Sequence, residues 1–155
     1  MEEYFNIWKR SLENIEGVYD SVISEDGKLS LPNECLMSTF QTEDTLSGLL
    51  TNSLAEGVLC LYSKESFEET CRNLGCLNII DPAVRRLKKR IIGEAVEVEI
   101  KKGQIKIQPE QLSRLNLDLK IDEFCGQTVF PVVILEHSNR IEIISSALYD
   151  KICRD

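Results

Sequence analysis

The sequence predicts an α+β fold in which one unit, a β-hairpin followed by a helix, a strand and a second helix, occurs twice. The first observation is an internal repeat, because several residues recur in identical or similar form 76 positions later. The matched pairs are Gly17 and Gly93, Val22 and Val98, Gly27 and Gly103, Leu29 and Ile105, Leu31 and Ile107, Glu34 and Glu110, and Leu36 and Leu112. The second observation is the alternation of Val96, Val98 and Ile100 with Glu97 and Glu99, which is the period of a strand buried on one face.

Each predicted hairpin has a tight turn and leads into a helix. Asp26-Gly27 is a strong hairpin signal, and Gly103 takes the same place in the second copy. Pro32 and Pro109 follow where a helix begins, a position that proline tolerates because the first helical N–H has no partner. The sequence therefore predicts a strand, a turn, a short strand and a helix in each copy.

Each copy then continues into an apolar strand and a further helix. In this part Leu59, Leu61, Tyr62, Ser63 and Phe67 correspond to Ile141, Ile143, Ile144, Ser145 and Tyr149. Ser66 followed by Glu69 has the spacing of a capping box, which predicts a helix from about residue 66 to 75.

A helix rich in basic residues is predicted between the copies. Asp81 is a suitable N-cap, Pro82 suits the first helical position, and Gly93 ends the helix about three turns later. The helix contains Arg85, Arg86, Lys88, Lys89 and Arg90. Basic residues near a helix C-terminus complement its dipole, so we expect a structural or inter-protomer role, with pairing to acidic residues of the N-terminal half.

Residues before the first copy form a separate feature. Phe5, Trp8, Leu12 and Ile15 have helical spacing and predict an amphipathic helix. It has two interpretations: it covers an apolar surface of the same barrel, or it contacts a neighbouring protomer and shields the turn that carries Lys28.

Composition excludes several classes of protein. The 155 residues have a net charge of −8, with 43% hydrophobic and 28% charged residues, which is typical of an ordinary globular domain. The sequence Met1-Glu2-Glu3-Tyr4 lacks a basic signal-peptide region, and the longest apolar run, Phe130 to Leu135, is too short to cross a bilayer. Six cysteines without a Cys-x-x-Cys pair and a single histidine predict reduced thiols and no metal site.

Charge is unevenly distributed along the chain. Residues 1–80 have five basic residues against fourteen acidic ones, whereas residues 81–155 have thirteen basic residues against twelve acidic ones. This distribution allows a local basic face.

Catalysis is disfavoured by the absence of a recognisable motif. The candidates are Cys35 as a nucleophile with His137 as base, or a carboxylate pair from Glu65, Glu68 and Glu69. No third orienting residue, phosphate-binding glycine loop or dinucleotide fingerprint accompanies them. We therefore expect no enzyme activity and no cofactor.

Two segments resemble the MraZ family of bacterial transcriptional regulators. The run from Asp81-Pro82 through Arg85-Arg86 to Gly93-Glu94-Ala95 is similar to the helix between the two family repeats, and Leu59-Cys60-Leu61-Tyr62 with Phe67-Glu68 is similar to a second family segment. The resemblance implies two tandem swapped-hairpin AbrB-like modules that form one pseudo-twofold barrel core with flanking helices. It also implies a homo-oligomeric ring that binds double-stranded DNA at promoter repeats of the division and cell-wall gene cluster. The implied location is the cytoplasm, at the nucleoid, with no membrane and no small-molecule substrate.

The expected divisions of the chain are an amphipathic extension at 1–16, module 1 at 17–64, linking helices at 65–92, module 2 at 93–146 and a C-terminal helix at 147–155.

The same resemblance implies which residues contact DNA. The family places a D-x-x-x-R motif at each glycine turn. In the first turn, which contains Gly27, Ser24 takes the aspartate position and Lys28 the arginine position. In the second turn, which contains Gly103, Ile100 takes the aspartate position and Gln104 the arginine position. Lysine neutralises a phosphate but lacks the bidentate fork of arginine, so weaker and more salt-sensitive binding is expected. Lys101 and Lys102 could restore charge at the second turn.

Two other interpretations of these turns stay open. A lysine after a tight turn is commonly a solvated residue, and a chain that lost both arginines could be a ring-forming interaction or scaffold protein that no longer binds DNA.

Overall fold

The computed structural model describes residues 15–40, 46–53, 55–76, 80–117, 120–121 and 126–154. The predicted helix at Phe5, Trp8 and Leu12 lies outside the described residues. The elements are β1 (Gly17–Ser24), β2 (Lys28–Ser30), α1 (Asn33–Phe40), β3 (Leu46–Asn52), β4 (Val58–Tyr62), α2 (Lys64–Gly75), α3 (Pro82–Lys88), β5 (Val96–Ile100), β6 (Gln104–Lys106), α4 (Pro109–Leu112), β7 (Lys120–Ile121), β8 (Thr128–Glu136), β9 (Ile141–Ser145) and α5 (Ser146–Arg154). Helix α3 continues as a π-helical turn over Lys89–Gly93, and α4 as a 3₁₀ turn over Ser113–Leu115.

Strands of the two copies interleave in one antiparallel sheet. The order is β5-β3-β4-β9-β8-β1-β2-β6, and β7 pairs with β8 outside this path. Lys101 and Gln104 exchange backbone hydrogen bonds between β5 and β6, so the eight strands form a nearly closed barrel. The α+β class and the swapped arrangement of hairpins are thus confirmed. The module boundaries stay a prediction.

The strand pairing follows a pseudo-twofold axis. Strand β1 of the first copy pairs with β8 of the second, and in the same way β5 of the second copy pairs with β3 of the first. The axis passes between two pairs of equivalent strands, β2 with β6 and β4 with β9. Each copy therefore completes the sheet of the other, and neither copy alone contains the full set of strand partners.

The barrel interior holds the main hydrophobic core. Its fully buried members include Ile23, Leu29, Leu61, Ile134 and Ile143. Burial of each such side chain contributes about 1.5–3 kcal/mol to folding. A second, outer cluster packs Val133, Leu135 and Ile144 with Ile152 of α5, and Ile15 packs against it.

Both terminal helices of the copies begin with the same serine cap. The Ser63 hydroxyl accepts from the Ser66 N–H at 3.2 Å, and the Ser145 hydroxyl accepts from the Leu148 N–H at 3.2 Å. The predicted start at Ser66 was wrong, because Ser63 is the N-cap, its side chain satisfies the otherwise unpaired N–H of Ser66, and α2 begins at Lys64. The linker helix is confirmed, with Asp81 accepting from the Ala83 N–H at 2.9 Å and Pro82 at its first position.

The offset of 76 residues holds only after the glycine turn. Ile23 pairs with Leu29 in the first hairpin, whereas Lys101 pairs with Gln104 in the second, which places Ile100 opposite Ile105. Ile23 therefore corresponds to Ile100, 77 positions later. The predicted match of Val22 with Val98 was wrong, since Val22 is 46% exposed and Val98 only 6%. The first turn is one residue longer than the second.

Two strands were missing from the prediction. Strand β3 lies between α1 and β4, and β8 lies at the same place in the second copy, so each copy has a second hairpin rather than a lone strand. The predicted alternation in β5 holds for Val98 and Ile100, but Val96 at the start of the strand is 42% exposed.

Candidate nucleic-acid interface

The two glycine turns are locked together where β2 and β6 pair across the pseudo-twofold axis. The Gly27 carbonyl accepts from the Ile107 N–H at 2.8 Å, and the Gly103 carbonyl accepts from the Leu31 N–H at 2.7 Å. These reciprocal bonds join each turn to the segment that follows the opposite hairpin. The position of each turn therefore depends on both copies.

The first turn is held by its serine. The Gly27 N–H donates to the Ser24 carbonyl at 2.9 Å, and the Lys28 N–H donates to the Ser24 hydroxyl oxygen at 3.0 Å. The same hydroxyl donates to the Asp26 carboxylate. Ser24, which takes the aspartate position of the family motif, thus closes the turn through its side chain.

Asp26 keeps its negative charge beside Lys28. The hydrogen bond from Ser24, together with the nearby charges of Lys28 and Lys106, lowers the pKa of Asp26 below its ordinary value. The Lys28 ammonium lies 3.7 Å from the carboxylate, with 57% of the lysine and 61% of the aspartate side chain exposed. A pair this exposed contributes little to stability, so Lys28 can exchange its partner at little cost.

The second turn is shorter and has a different backbone. Lys102 and Gly103 have φ of 52° and 75°, and the flanking Lys101 and Gln104 exchange two hydrogen bonds of 3.0 Å. Positive φ at both central residues is the signature of a two-residue type I′ hairpin turn. The Gln104 amide donates to the Ser30 hydroxyl at 3.1 Å on the neighbouring strand.

Ile100 does not belong to the second turn. Its side chain is 3% exposed and lies in the barrel core, because the second turn is one residue shorter than the first. The residue that follows Ile100, Lys101, therefore occupies the place of Ser24, so a base replaces the turn-holding serine.

Lysines from both hairpins line one groove of about 410 Å³, which we call the turn groove. Lys28 comes from the first hairpin, and Lys101, Lys102 and Lys106 come from the second. Lys28 and Lys106 are direct cross-strand neighbours, and this contribution of Lys106 was missed. The swapped pairing of β2 with β6 is the signal that could have revealed it.

The turn groove also has acidic lining residues. Glu97 and Glu99 of β5 line it, and Glu97 lies 3.4 Å from the ammonium of Lys64. The groove therefore carries four lysines against two glutamates, one of which is already paired.

The enzyme candidates occupy separate surroundings. Burial, with Glu136 nearby, raises the pKa of Cys35 to about 12, so this thiol stays protonated. The carboxylate near Cys35 is that of Glu136, whereas His137 Nε2 lies 2.5 Å from the carboxylate of Glu142. Glu65, Glu68 and Glu69 are exposed on α2. No group of three or more potential metal ligands occurs within the described ranges.

None of the helices in the part of the chain that the structure describes is long and apolar enough to cross a membrane.

Comparison with known proteins gives one informative match. No model of a protein family matches the chain. A curated protein named "Transcriptional regulator MraZ", from Alcanivorax borkumensis, is 32% identical over 95 residues. The alignment covers 59% of this chain and 63% of the relative. This match agrees with the resemblance to the MraZ family that the sequence motifs indicate, and the alignment spans less than two thirds of the relative's length.

Proposed function

We propose that this protein is a DNA-binding transcriptional regulator and that the turn groove contacts the phosphate backbone. The observation that carries the proposal is the convergence of Lys28, Lys101, Lys102 and Lys106 from two hairpins. A chain with a net charge of −8 repels DNA as a whole, so binding requires such a local concentration of positive charge. The related protein is named a transcriptional regulator rather than an enzyme.

The pairing of Lys28 with Lys106 favours an anionic partner. Like charges directly opposite on neighbouring strands are destabilising, and here they are direct partners in the register of β2 and β6. A phosphate placed between them relieves this repulsion and replaces the weak pair of Lys28 with Asp26. Ser24 and Gly27 hold the first turn, and Gly103 the second, so that these ammonium groups are presented without rearrangement.

Lys101 and Lys102 extend the same positive surface, whereas Gln104 has a different part. Its amide can bond a base edge or a phosphate only after it leaves the Ser30 hydroxyl. The chain lacks arginine at both turns, so phosphate contact dominates over bidentate base recognition.

Affinity then comes from several protomers acting together. We place the protein in a homo-oligomeric ring whose turns bind repeated promoter sites of the division and cell-wall gene cluster, in the cytoplasm at the nucleoid. Joining many weak lysine contacts multiplies affinity without any new contact. No cofactor or small-molecule substrate is required.

Fluorescence anisotropy over a salt series tests the proposal. Labelled DNA from upstream of the gene is compared with scrambled DNA of equal length, for the wild type, Lys28→Ala, Lys106→Ala and the control Lys151→Ala. Lys151 is an exposed lysine on α5, which packs against β8 and β9 and does not line the turn groove. We expect each groove variant to lower the steepness of the salt dependence by about one phosphate contact per binding protomer, and the control to leave it unchanged.

Two results would contradict the proposal. Absence of binding to either DNA at low salt would favour the scaffold interpretation and direct attention to protein partners. Equal losses for Lys28→Ala and Lys151→Ala would mean that DNA binds elsewhere on the molecule.

A further inference from the structure

A second basic pocket lies on the linker between the two modules, separate from the turn groove. Its volume is about 510 Å³, and its walls come from three places: the β3–β4 hairpin, helix α3 with its π-helical continuation, and the 3₁₀ turn after α4. The basic residues that line it are Arg86, Lys89, Arg90 and Arg114. The pocket therefore combines parts of both copies with the segment that joins them.

The charge of this linker pocket is unbalanced. Glu56 and Glu94 are the acidic residues that line it. Glu94 is already engaged, because its carboxylate lies 3.5 Å from Arg114 and accepts from the Asn52 amide at 2.6 Å. Within the described ranges, no residue forms an ion pair with Arg86 or Lys89.

One wall of the pocket is ordered by a buried amide. Asn52 is 4% exposed, donates to the Arg90 carbonyl at 2.8 Å and accepts from the Arg114 guanidinium at 3.1 Å. Arg90 in turn donates to the Ala55 carbonyl at 3.4 Å. These bonds fix two guanidinium groups before any ligand arrives, which reduces the entropy that binding would cost.

Guanidinium and ammonium groups at this density suit one class of ligand. A planar guanidinium matches two oxygens of a phosphate, and several cations together match a group with several negative charges. An isolated exposed ion pair is weak, so one phosphate on one arginine would bind weakly, whereas a chain of phosphates engages the whole set.

We propose that the linker pocket binds a polyphosphate group, carried by a nucleoside di- or triphosphate or by inorganic polyphosphate. Arg86 and Lys89 supply the uncompensated charge, and Arg90 and Arg114 form the ordered wall. Because the ligand would contact both modules and the linker, its binding would stabilise their arrangement. This site does not depend on DNA binding at the turns.

Isothermal titration calorimetry and thermal unfolding of the full chain test the proposal with pyrophosphate, ATP and AMP as probes. We expect pyrophosphate and ATP to bind and raise the unfolding temperature, and AMP to bind at least about tenfold more weakly. The double variant Arg86→Gln with Lys89→Gln, which removes both charges but keeps unbranched polar side chains, should lose about tenfold or more in affinity for pyrophosphate. Arg85→Gln is the matched control, since Arg85 is an exposed neighbour on α3 that does not line the pocket.

The arms of the experiment separate the sources and the alternatives. Equal affinity for pyrophosphate and ATP supports an inorganic polyphosphate, and tighter ATP binding supports a nucleotide. Absence of binding up to about 10 mM of either probe overturns the proposal. Binding that survives the double variant but is lost in Lys28→Ala with Lys106→Ala also overturns the proposal, because the anions would then occupy the turn groove.

A change in native mass in the double variant without an effect on anion binding would assign the pocket to a second copy of the chain. Should the double variant fail to fold, Lys89→Gln alone is compared with Arg85→Gln, and equal affinities overturn the proposal.

Discussion

The two glycine turns have equivalent places in the barrel but different chemistry. Each turn has a glycine with positive φ, at 88° for Gly27 and 75° for Gly103, and each glycine carbonyl accepts from the segment after the opposite hairpin. The first turn is longer and is held by Ser24, whereas the second is a two-residue turn, Lys102-Gly103, flanked by Lys101 and Gln104. The contacts that the twofold fold requires are made by the backbone, so the exposed side chains of the turns are free to differ.

The largest expected difference between the turns concerns their glycines. A Cβ at Gly27 would lie 2.4 Å from the Ile107 carbonyl oxygen, whereas at Gly103 the nearest atom, of Leu36, lies at 3.5 Å. We expect Gly27→Ala to destabilise the protein by about 3 kcal/mol or more, since strain adds to a backbone clash, and Gly103→Ala by about 1 kcal/mol. Chemical denaturation measures both values. Equal losses would show that backbone conformation alone sets the cost.

Much of this fold follows from its sequence because the repeat makes each copy a check on the other. The hairpins and the linker helix were predicted, since glycine turns, Asp81-Pro82 and alternating valines act locally. Strand β3 was missed because Ser47 and Gly48 interrupt its apolar pattern, and pairing with β4 and β5 compensates for its weak local preference.

The candidate site was less predictable than the fold. Ile100 was assigned to the turn because a one-residue difference in turn length is invisible until the inward side chains are identified. Lys106 was missed because its proximity to Lys28 arises from pairing between distant segments. The linker pocket depends in the same way on Asn52 and Arg114, which are far apart in sequence.

The comparison of the copies extends to β4 and β9, where Cys60 and Glu142 are direct partners across the axis. Burial, with Glu142 nearby, raises the pKa of Cys60 to about 12, so this thiol stays neutral. Burial alone would raise the pKa of Glu142, but the hydrogen bond from His137 and the charge of Arg140 hold it below 4.5. The second copy thus has a buried carboxylate where the first has a thiol.

Acid unfolding should reveal this difference. Because the folded pKa of Glu142 is lowered, its ionised form stabilises the protein above pH 4.5, and that contribution is lost as the pH falls through the lowered value. We expect Glu142→Gln to cost about 2–3 kcal/mol at neutral pH and to flatten the dependence of unfolding free energy on pH below 4.5. Cys60→Ser is the control at the partner position, and we expect it to leave this pH dependence unchanged. A Glu142→Gln protein with the wild-type pH profile would contradict the assignment.

Arginine at the first turn should sharpen the functional comparison. Lys28→Arg adds a planar fork at a position that is exposed and close to Asp26. We expect affinity for the upstream DNA to rise about tenfold, with a smaller gain on scrambled DNA, since a bidentate contact to guanine contributes about 1–3 kcal/mol of discrimination. Anisotropy measures both. The matched change at the second turn, Gln104→Arg, should gain less because it also breaks the bond to Ser30. Equal gains on both DNAs would indicate phosphate contact alone.

The smallest expected effect separates the backbones of the two turns. Lys102 has φ of 52°, whereas its neighbour in the turn, Gly103, tolerates positive φ without strain. Lys102→Gly should therefore be neutral or stabilise the protein by up to about 1 kcal/mol, because relief of strain offsets the greater freedom of glycine in the unfolded chain. The control Lys101→Gly lies on the flanking position without positive φ, and we expect it to destabilise by about 0.5–1 kcal/mol. If both variants lose the same stability, the backbone at Lys102 is not strained. A lysine at this position would then need no compensating function, such as phosphate binding, to explain its presence.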